Sequence, residues 1–236
     1  MTTVDPGSVT TVDAVGPRRI VVLRHGETAD NAAGFWQGHR DSPLSAVGRA
    51  QAQRMAPVLA ALDPQLVVSS DLQRAAATAD AVASLAGVAV RRDERLREVD
   101  VGAWQGHTNA QVRRDHPEVL AALGRGEDVR RGVTGETMAE LAARVSAALD
   151  DIVAELEPGR LAVVVCHGVS GRSAVASLVG IDQMEATRIL WGLDNCHWAT
   201  VAEARHVSGA EVAPVWRIDH WNAGVRDAPG RVAPGS

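Results

Sequence analysis

No lysine occurs in the 236 residues, so all 24 basic side chains are arginines. That absence excludes Schiff-base catalysis and a Walker-type phosphate loop, since both run through a lysine amine. Cysteine is nearly as scarce. Cys166 and Cys196 are the only two, too few for a disulfide framework. Cys166 follows Val163-Val164-Val165 and is expected to pack as a small apolar side chain. Positive charge is in deficit as well. The net charge of −5 and the pI near 5.9 leave no basic footprint for nucleic acid or an acidic membrane. No run approaches the roughly 18 apolar residues of a membrane span, and the N-terminal residues hold no basic cluster or apolar stretch typical of a secretory signal. A cytoplasmic protein with no nucleic-acid or membrane partner is expected.

What is present supports a substantial core: 46% hydrophobic against 22% charged residues, an ordinary globular balance. Ile20-Val21-Val22-Leu23 reads as a buried strand that stops at Arg24-His25-Gly26. Ser45 is a plausible N-cap for a helix to about Leu62. Leu66–Ser70 is a second strand, Asp71 is expected to cap an Ala-rich helix to about Ala86, and Val88–Arg91 reads as a third strand. This alternation predicts βαβ units and a parallel sheet. The middle is rich in glycine. Thr108 caps a short helix to about Asp115, Pro117 interrupts the pattern, and Gly124–Gly132 is a charged loop. A long helix is expected from about Thr137 to Glu155, with Leu141, Val145, Leu149, Ile152 and Val153 on one face. Leu161–Cys166 is the clearest buried strand, running into His167-Gly168 and a helix to about Val179. Trp198–Ala202 and Glu211–Ile218 read as a strand pair turning at Ser208-Gly209. The expectation is one α/β domain over 18–222, with flexible tails at 1–17 and 223–236.

Three strands thus deliver polar groups at their C-terminal ends, where open α/β sheets bind ligands. The first supplies Arg24 and His25; the second Ser69, Ser70, Asp71 and, a turn later, Arg74; the last His167 and Gly168. Two arginines and two histidines converging there suit a dianionic group, because guanidinium forks match phosphate oxygens. No His/Cys cluster has metal-ligand spacing; no metal is expected, and no cofactor.

The ordered set of motifs resembles the histidine phosphatase superfamily, with its phosphoglycerate mutase-like fold. The carrying residues are Leu23-Arg24-His25-Gly26-Glu27-Thr28 with Asn31; Gln37-Gly38 with Pro43-Leu44-Ser45 and Gly48; and Ser69-Ser70-Asp71-Leu72-Gln73-Arg74-Ala75 with Thr78-Ala79. They continue with Leu96-Arg97-Glu98, Gly102-Ala103-Trp104-Gln105-Gly106, Gly135-Glu136-Thr137 and Cys166-His167-Gly168. The resemblance implies a three-layer sandwich whose mostly parallel central sheet is flanked by helices. It further implies that His25 is a nucleophile passing through a phosphohistidine. Arg24, Arg74 and His167 would bind the phosphoryl oxygens, and Glu98 would be the general acid and then base. Thr28, Asn31, Gln37, Gly38 and Gly168 would be secondary substrate contacts, and a homodimer is the expectation by analogy.

Two departures shape the expected substrate. Many members of that family carry a second glycine where this chain has Val169, which narrows the approach to the site. The run Val99-Asp100-Val101-Gly102-Ala103-Trp104-Gln105-Gly106 looks like the phosphatase branch, so water is the expected acceptor. The implied activity is a metal-independent phosphomonoesterase acting on a sugar phosphate or a phosphoglycerate derivative such as glucosyl-3-phosphoglycerate. Arg40, Arg113, Arg114, Arg130 and Arg131 are candidates to reach a carboxylate, and Trp36 and Trp104 to stack on a sugar face. A cofactor-dependent phosphoglycerate mutase and a non-catalytic phospholigand-binding module remain the alternatives.

Overall fold

In a computed structural model that describes residues 16–204 and 215–225, six strands form one sheet in the order β3-β2-β4-β1-β5-β6. These strands are β1 (Arg19–Arg24), β2 (Leu66–Ser69), β3 (Val90–Arg92), β4 (Leu161–Cys166), β5 (Trp198–Ala204) and β6 (Val215–Ala223). The first four run parallel, whereas β5 is antiparallel to β1 and β6 to β5. The expected mostly parallel sheet is therefore present. The register places Arg24 opposite Cys166 and Ser69 opposite Val165. His25, Ser70 and His167 consequently leave the same edge.

The period-2 alternation of strand side chains sorts the core into two faces. Val21, Leu23, Val67, Val163 and Val165 pack with Met55, Leu59, Ala79 and Val82 from α2 (Ala46–Ala60) and α3 (Gln73–Ala86). Ile20, Val22, Val164 and Cys166 pack on the other face with Leu141, Val145, Leu149, Ile152, Ala174 and Val175 from α6 (Met138–Glu155) and α7 (Gly168–Val179). The result is helix, sheet, helix. β4 is buried along its whole length, as its unbroken apolar run requires. Cys166 is buried as expected.

Helix starts follow local chemistry. Thr28 caps a single turn, α1 (Ala29–Ala32), in a capping box with Asn31, and Ser45 Oγ accepts from Gly48 N at the head of α2. Thr108 and Thr137 do the same for α4 (Asn109–Asp115) and α6.

Several expectations are corrected. Asp71 does not cap α3: its carboxylate accepts from Arg97 Nε at 2.8 Å, and Leu72 precedes the helix without a side-chain cap. β3 begins at Val90, because Gly87 turns the chain in the left-handed region and Val88 N still bonds to Ala83 O. Pro117 does not break a helix but opens one, α5 (Pro117–Gly124), where its missing N–H is harmless. The short α8 (Gln183–Ile189) was not anticipated. β6 continues to Ala223, which pairs with Trp198, so the expected tail boundary at 223 falls inside a strand, while the expected strand start at Glu211 lies outside the described residues. The Ser208-Gly209 turn and most of the two expected tails lie outside the described residues.

Candidate active site

His25 sits just past β1, 3% exposed, and its Nδ1–H donates to its neighbour's carbonyl, Gly26 O, at 2.7 Å. That bond selects the tautomer and leaves Nε2 as the lone-pair nitrogen. Burial, reinforced by the positive charges of Arg74 and Arg24, holds the imidazole pKa well below its ordinary value. The ring is neutral at pH 7. Close backbone approach fixes the loop that carries it, since a Cβ on Gly26 would lie 2.5 Å from Gly48 O and one on Gly48 only 2.0 Å from Glu27 O.

His167 leaves β4 beside it, with ring centroids 5.0 Å apart and planes at 63°. Its Nδ1 accepts from Arg74 Nε at 3.2 Å, so its Nε2–H donates to Ser70 Oγ at 2.9 Å. Both ring nitrogens are engaged. Burial and the charge of Arg74 also push this pKa well down.

The two arginines differ in how firmly they are held. Arg74 is fully buried at the start of α3 and donates to Arg40 O at 2.7 Å and Gly38 O at 2.9 Å, besides His167. Arg24 donates through Nη1 to Leu193 O at 2.6 Å, while its buried Nε has no acceptor. Desolvation lowers the pKa of each, and the charge of Glu98 opposes it. Both remain cations at neutral pH.

Glu98 faces the same space. Its Oε1 accepts from the amides of Val99 (3.0 Å), Val169 (3.1 Å) and Ser170 (2.9 Å), and its Oε2 is 3.1 Å from Val169 N. The carboxylate thus satisfies the head of α7, where a negative charge is favoured. It keeps one loosely held oxygen.

These groups border a cavity of about 260 Å³ lined by Arg24, His25, Asn31, Gln37, Gly38, Arg74 and Glu98, with an outer wall of Phe35, Trp36, Val99, Val101, Asn109 and Val169. Of the ten residues anticipated, seven line it. His167, expected to bind phosphoryl oxygens, does not line it; its ring packs edge-on to His25 and accepts from Arg74. Thr28 is fully buried as the cap of α1, its hydroxyl donating to Gln37 Oε1 at 3.1 Å. Asn31 Oδ1 accepts from Thr28 N at 3.1 Å, which leaves its Nδ2 for a ligand. Gly168 opens α7 beside Glu98, where a Cβ would be in ordinary contact with Glu98 Oε2 at 3.6 Å. Trp104 is 1% exposed and packs on Trp36 at 5.3 Å, so only Trp36 is available to a sugar face. None of Arg40, Arg113, Arg114, Arg130 and Arg131 lines the cavity; Arg40, Arg114 and Arg130 pair instead with Asp30, Asp115 and Glu140.

The family model described as the histidine phosphatase superfamily (branch 1) matches residues 20–223. The chain belongs to that superfamily. A curated relative, the glucosyl-3-phosphoglycerate phosphatase of Mycobacterium tuberculosis (strain H37Rv), is 38% identical over 217 residues, covering 87% of this chain and 95% of that protein. The probable phosphoglycerate mutase GpmB of Yersinia enterocolitica is 33% identical over 183 residues, covering 78% and 84%. Among solved structures, a mycobacterial glucosyl-3-phosphoglycerate phosphatase complexed with VO3 superposes with a TM-score of 0.79 at 36% identity, covering 88% of this chain and 100% of that one.

In this histidine phosphatase the support of Glu98 was not visible in the motifs. Arg144, on α6, donates to the carbonyls of Arg95 (2.7 Å), Arg97 (2.8 Å) and Glu98 (2.8 Å) and forms a two-pronged ion pair with Glu136. Glu136 Oε2 also accepts from Asp100 N at 2.9 Å, and His39 Nε2–H donates to Glu98 O at 2.8 Å. The available signal was Glu136 followed by an arginine eight residues later, at the head of the long helix. Asn195, from the loop before β5, donates to His25 O at 3.0 Å.

Proposed function

We propose that residues 18–222, acting as one domain, hydrolyse a phosphomonoester through a phosphohistidine on His25. The observation that carries this reading is a neutral imidazole pinned through Nδ1, its Nε2 free, facing a cavity whose other polar wall is Arg24, Arg74 and Glu98. Nε2 attacks phosphorus in line while the ester oxygen departs opposite. The arginines hold the non-bridging oxygens as charge spreads over them, a role worth about 10³–10⁵-fold for one arginine in other phosphoryl transferases. Arg24 Nε, buried without an acceptor, is a donor held ready for such an oxygen. Glu98 protonates the departing alkoxide and then takes a proton from the water that cleaves the phosphohistidine, a contribution of roughly 10²–10⁴-fold. His167 keeps Arg74 in place by accepting from its Nε.

The arginine cage supplies the charge that a metal ion supplies elsewhere, so the reaction is read as metal-independent. The substrate is read as a small phosphorylated metabolite, with glucosyl-3-phosphoglycerate supported by the names of the relatives. We read the enzyme as a cytoplasmic homodimer; among the described residues no helix is long and apolar enough to cross a membrane.

Hydrolysis of p-nitrophenyl phosphate tests the reading. The wild type is expected to retain full activity in EDTA, and His25→Ala to lose about 10⁴-fold or more. Substantial turnover by His25→Ala would contradict it. Conversion of 3- to 2-phosphoglycerate faster than phosphate release would favour a mutase instead.

A further inference from the structure

Residues 193–197, the loop before β5, wrap the segment that carries Arg24 and His25. Arg24 donates through Nη1 to Leu193 O at 2.6 Å and through its backbone N to His197 O at 3.0 Å. Asn195 Nδ2 donates to His25 O at 3.0 Å, and Cys196 N reaches Arg24 O at 3.1 Å and His25 O at 3.2 Å. Cys196 makes that contact from a left-handed backbone, φ 57°, a conformation costly for a side chain of its kind and kept only where the surroundings enforce it.

The loop is enforced from two sides. Leu193 is fully buried in the core on the α7 face of the sheet. The other hold comes from the last residues of β6, which runs in the same direction as β1 because two antiparallel pairings separate them. Its C-terminal end therefore reaches the edge where Arg24 and His25 lie. There Asn222, at φ 54°, accepts from Asp194 N through Oδ1 at 2.9 Å and donates through Nδ2 to Asp194 Oδ2 at 3.0 Å. Ala223 pairs with Trp198, and a Cβ on Gly224 would lie 2.2 Å from His197 Nε2.

The two holds meet in a single peptide unit. The C=O of Leu193 accepts from Arg24, and the N–H of Asp194, in the same plane, donates to Asn222. A trans peptide is rigid, so its C=O and N–H point opposite ways and turn together. Any rotation that frees Asp194 N from Asn222 carries Leu193 O away from Arg24 Nη1. The guanidinium is planar as well, so fixing Nη1 also directs Nε, the buried donor without a protein acceptor. The Asp194 carboxylate adds a longer-range attraction that favours the cation.

We propose that Asn222 is a positioning residue for phosphoryl transfer, acting across the 193–194 peptide to set the guanidinium of Arg24. This rests on the phosphatase reading of the cavity and extends its machinery to the last strand of the sheet. Asn222 touches no substrate; its effect passes through Arg24.

The test is a double-mutant cycle on the full-length enzyme, read as kcat/KM for p-nitrophenyl phosphate, with circular dichroism confirming that each variant folds. Asn222→Gly keeps the left-handed backbone and removes only the amide. It is expected to lower kcat/KM by about tenfold, since a small misplacement of a catalytic group is costly. In an Arg24→Gln background the same change is expected to cost less than about twofold, because the two residues act as one unit. Asn222→Asp sets two carboxylates against each other and is expected to match the loss. Adding Asp194→Asn exchanges the partners, rebuilds both hydrogen bonds, and is expected to restore kcat/KM to within about threefold of the wild type. This exchange decides the matter if Asn222→Gly does not fold. A folded Asn222→Gly within twofold of the wild type, an equal loss in both backgrounds, or an exchange that restores nothing would each overturn the role of Asn222, while hydrolysis that depends on His25 still upholds the phosphatase reading. A wild type that hydrolyses no p-nitrophenyl phosphate overturns both.

Discussion

His25 and His167 are a pair of buried imidazoles facing a cationic cage, and that fixes how they respond to pH. Both have pKa values pushed well below the ordinary 6.5 by desolvation first and by neighbouring arginines second. In the unfolded chain the same rings take up protons near pH 6.5. As pH falls below that value the unfolded state binds more protons than the folded one, so these rings withdraw stability on the acid side. Together they contribute a slope of up to roughly 2.7 kcal/mol per pH unit, absent well above pH 6.5, growing below it and ending once the folded pKa values are passed. Imidazole NMR of the native enzyme is expected to show no titration of either ring between pH 8 and 6. A midpoint near 6.5 for His25 would contradict the neutral-nucleophile account. The motif residues themselves were legible from their chemistry, because Arg24 ends a strand, His25 and His167 directly follow one, and Arg74 comes a helical turn later. The engagement of both His167 nitrogens was not, since it depends on Ser70 and Arg74 meeting from two other segments.

At the scale of elements, the site depends on how closely backbone segments approach. Gly48 sits in α2, where alanine would ordinarily add about 1 kcal/mol of helix stability. Its Cβ would however lie 2.0 Å from Glu27 O, a backbone atom two residues past His25 that cannot swing aside. Overpacking at about 1–3 kcal/mol outweighs the propensity gain. Gly48→Ala is therefore expected to lower Tm by a few degrees and aryl phosphate hydrolysis by tenfold or more. Gly124→Ala, at the end of α5 with nothing within 4 Å of its Cβ, is expected to leave both within error. A Gly48→Ala enzyme as stable and active as the wild type would contradict this packing.

Arg144 is a positioning residue of a similar kind, since it holds the carbonyls of residues 95, 97 and 98 from α6. Arg144→Met would leave Glu136 unpaired and partly buried. We expect a loss of about 2–3 kcal/mol in stability, discounted from the fully buried case because the pair is 19% exposed on each side. The kcat for an alkyl phosphate should fall by roughly 10²-fold, and much less for p-nitrophenyl phosphate, whose leaving group needs no proton. Equal losses on both esters would remove Glu98 from the acid role. The sequence pattern could not anticipate this brace, because it joins α6 to the short segment 95–98, about 46 residues away, which carries no periodic signal.

Over the whole molecule, the layers were legible and the edges were not. The runs Ile20–Leu23, Leu66–Ser69 and Leu161–Cys166 are strongly apolar, and such strands must lie inside a sheet covered on both faces. The apolar stripe of α6 likewise announced a helix against that sheet. The third strand and the end of β6 were misplaced by a few residues, because turns such as Gly87 set them rather than composition. Val153, expected on the buried stripe of α6, is only half-buried. This architecture has one chemical consequence: three parallel strands end together, so an imidazole and a cationic cage meet where a phosphoryl group can be handed from an ester to nitrogen and then to water. The most direct measurement is rapid quenching in alkaline detergent during turnover of a phosphorus-labelled ester. The account predicts a labelled protein that is stable in alkali and labile in acid, with the label on the peptide carrying His25. Turnover without any labelled protein, or with the label elsewhere, would contradict it.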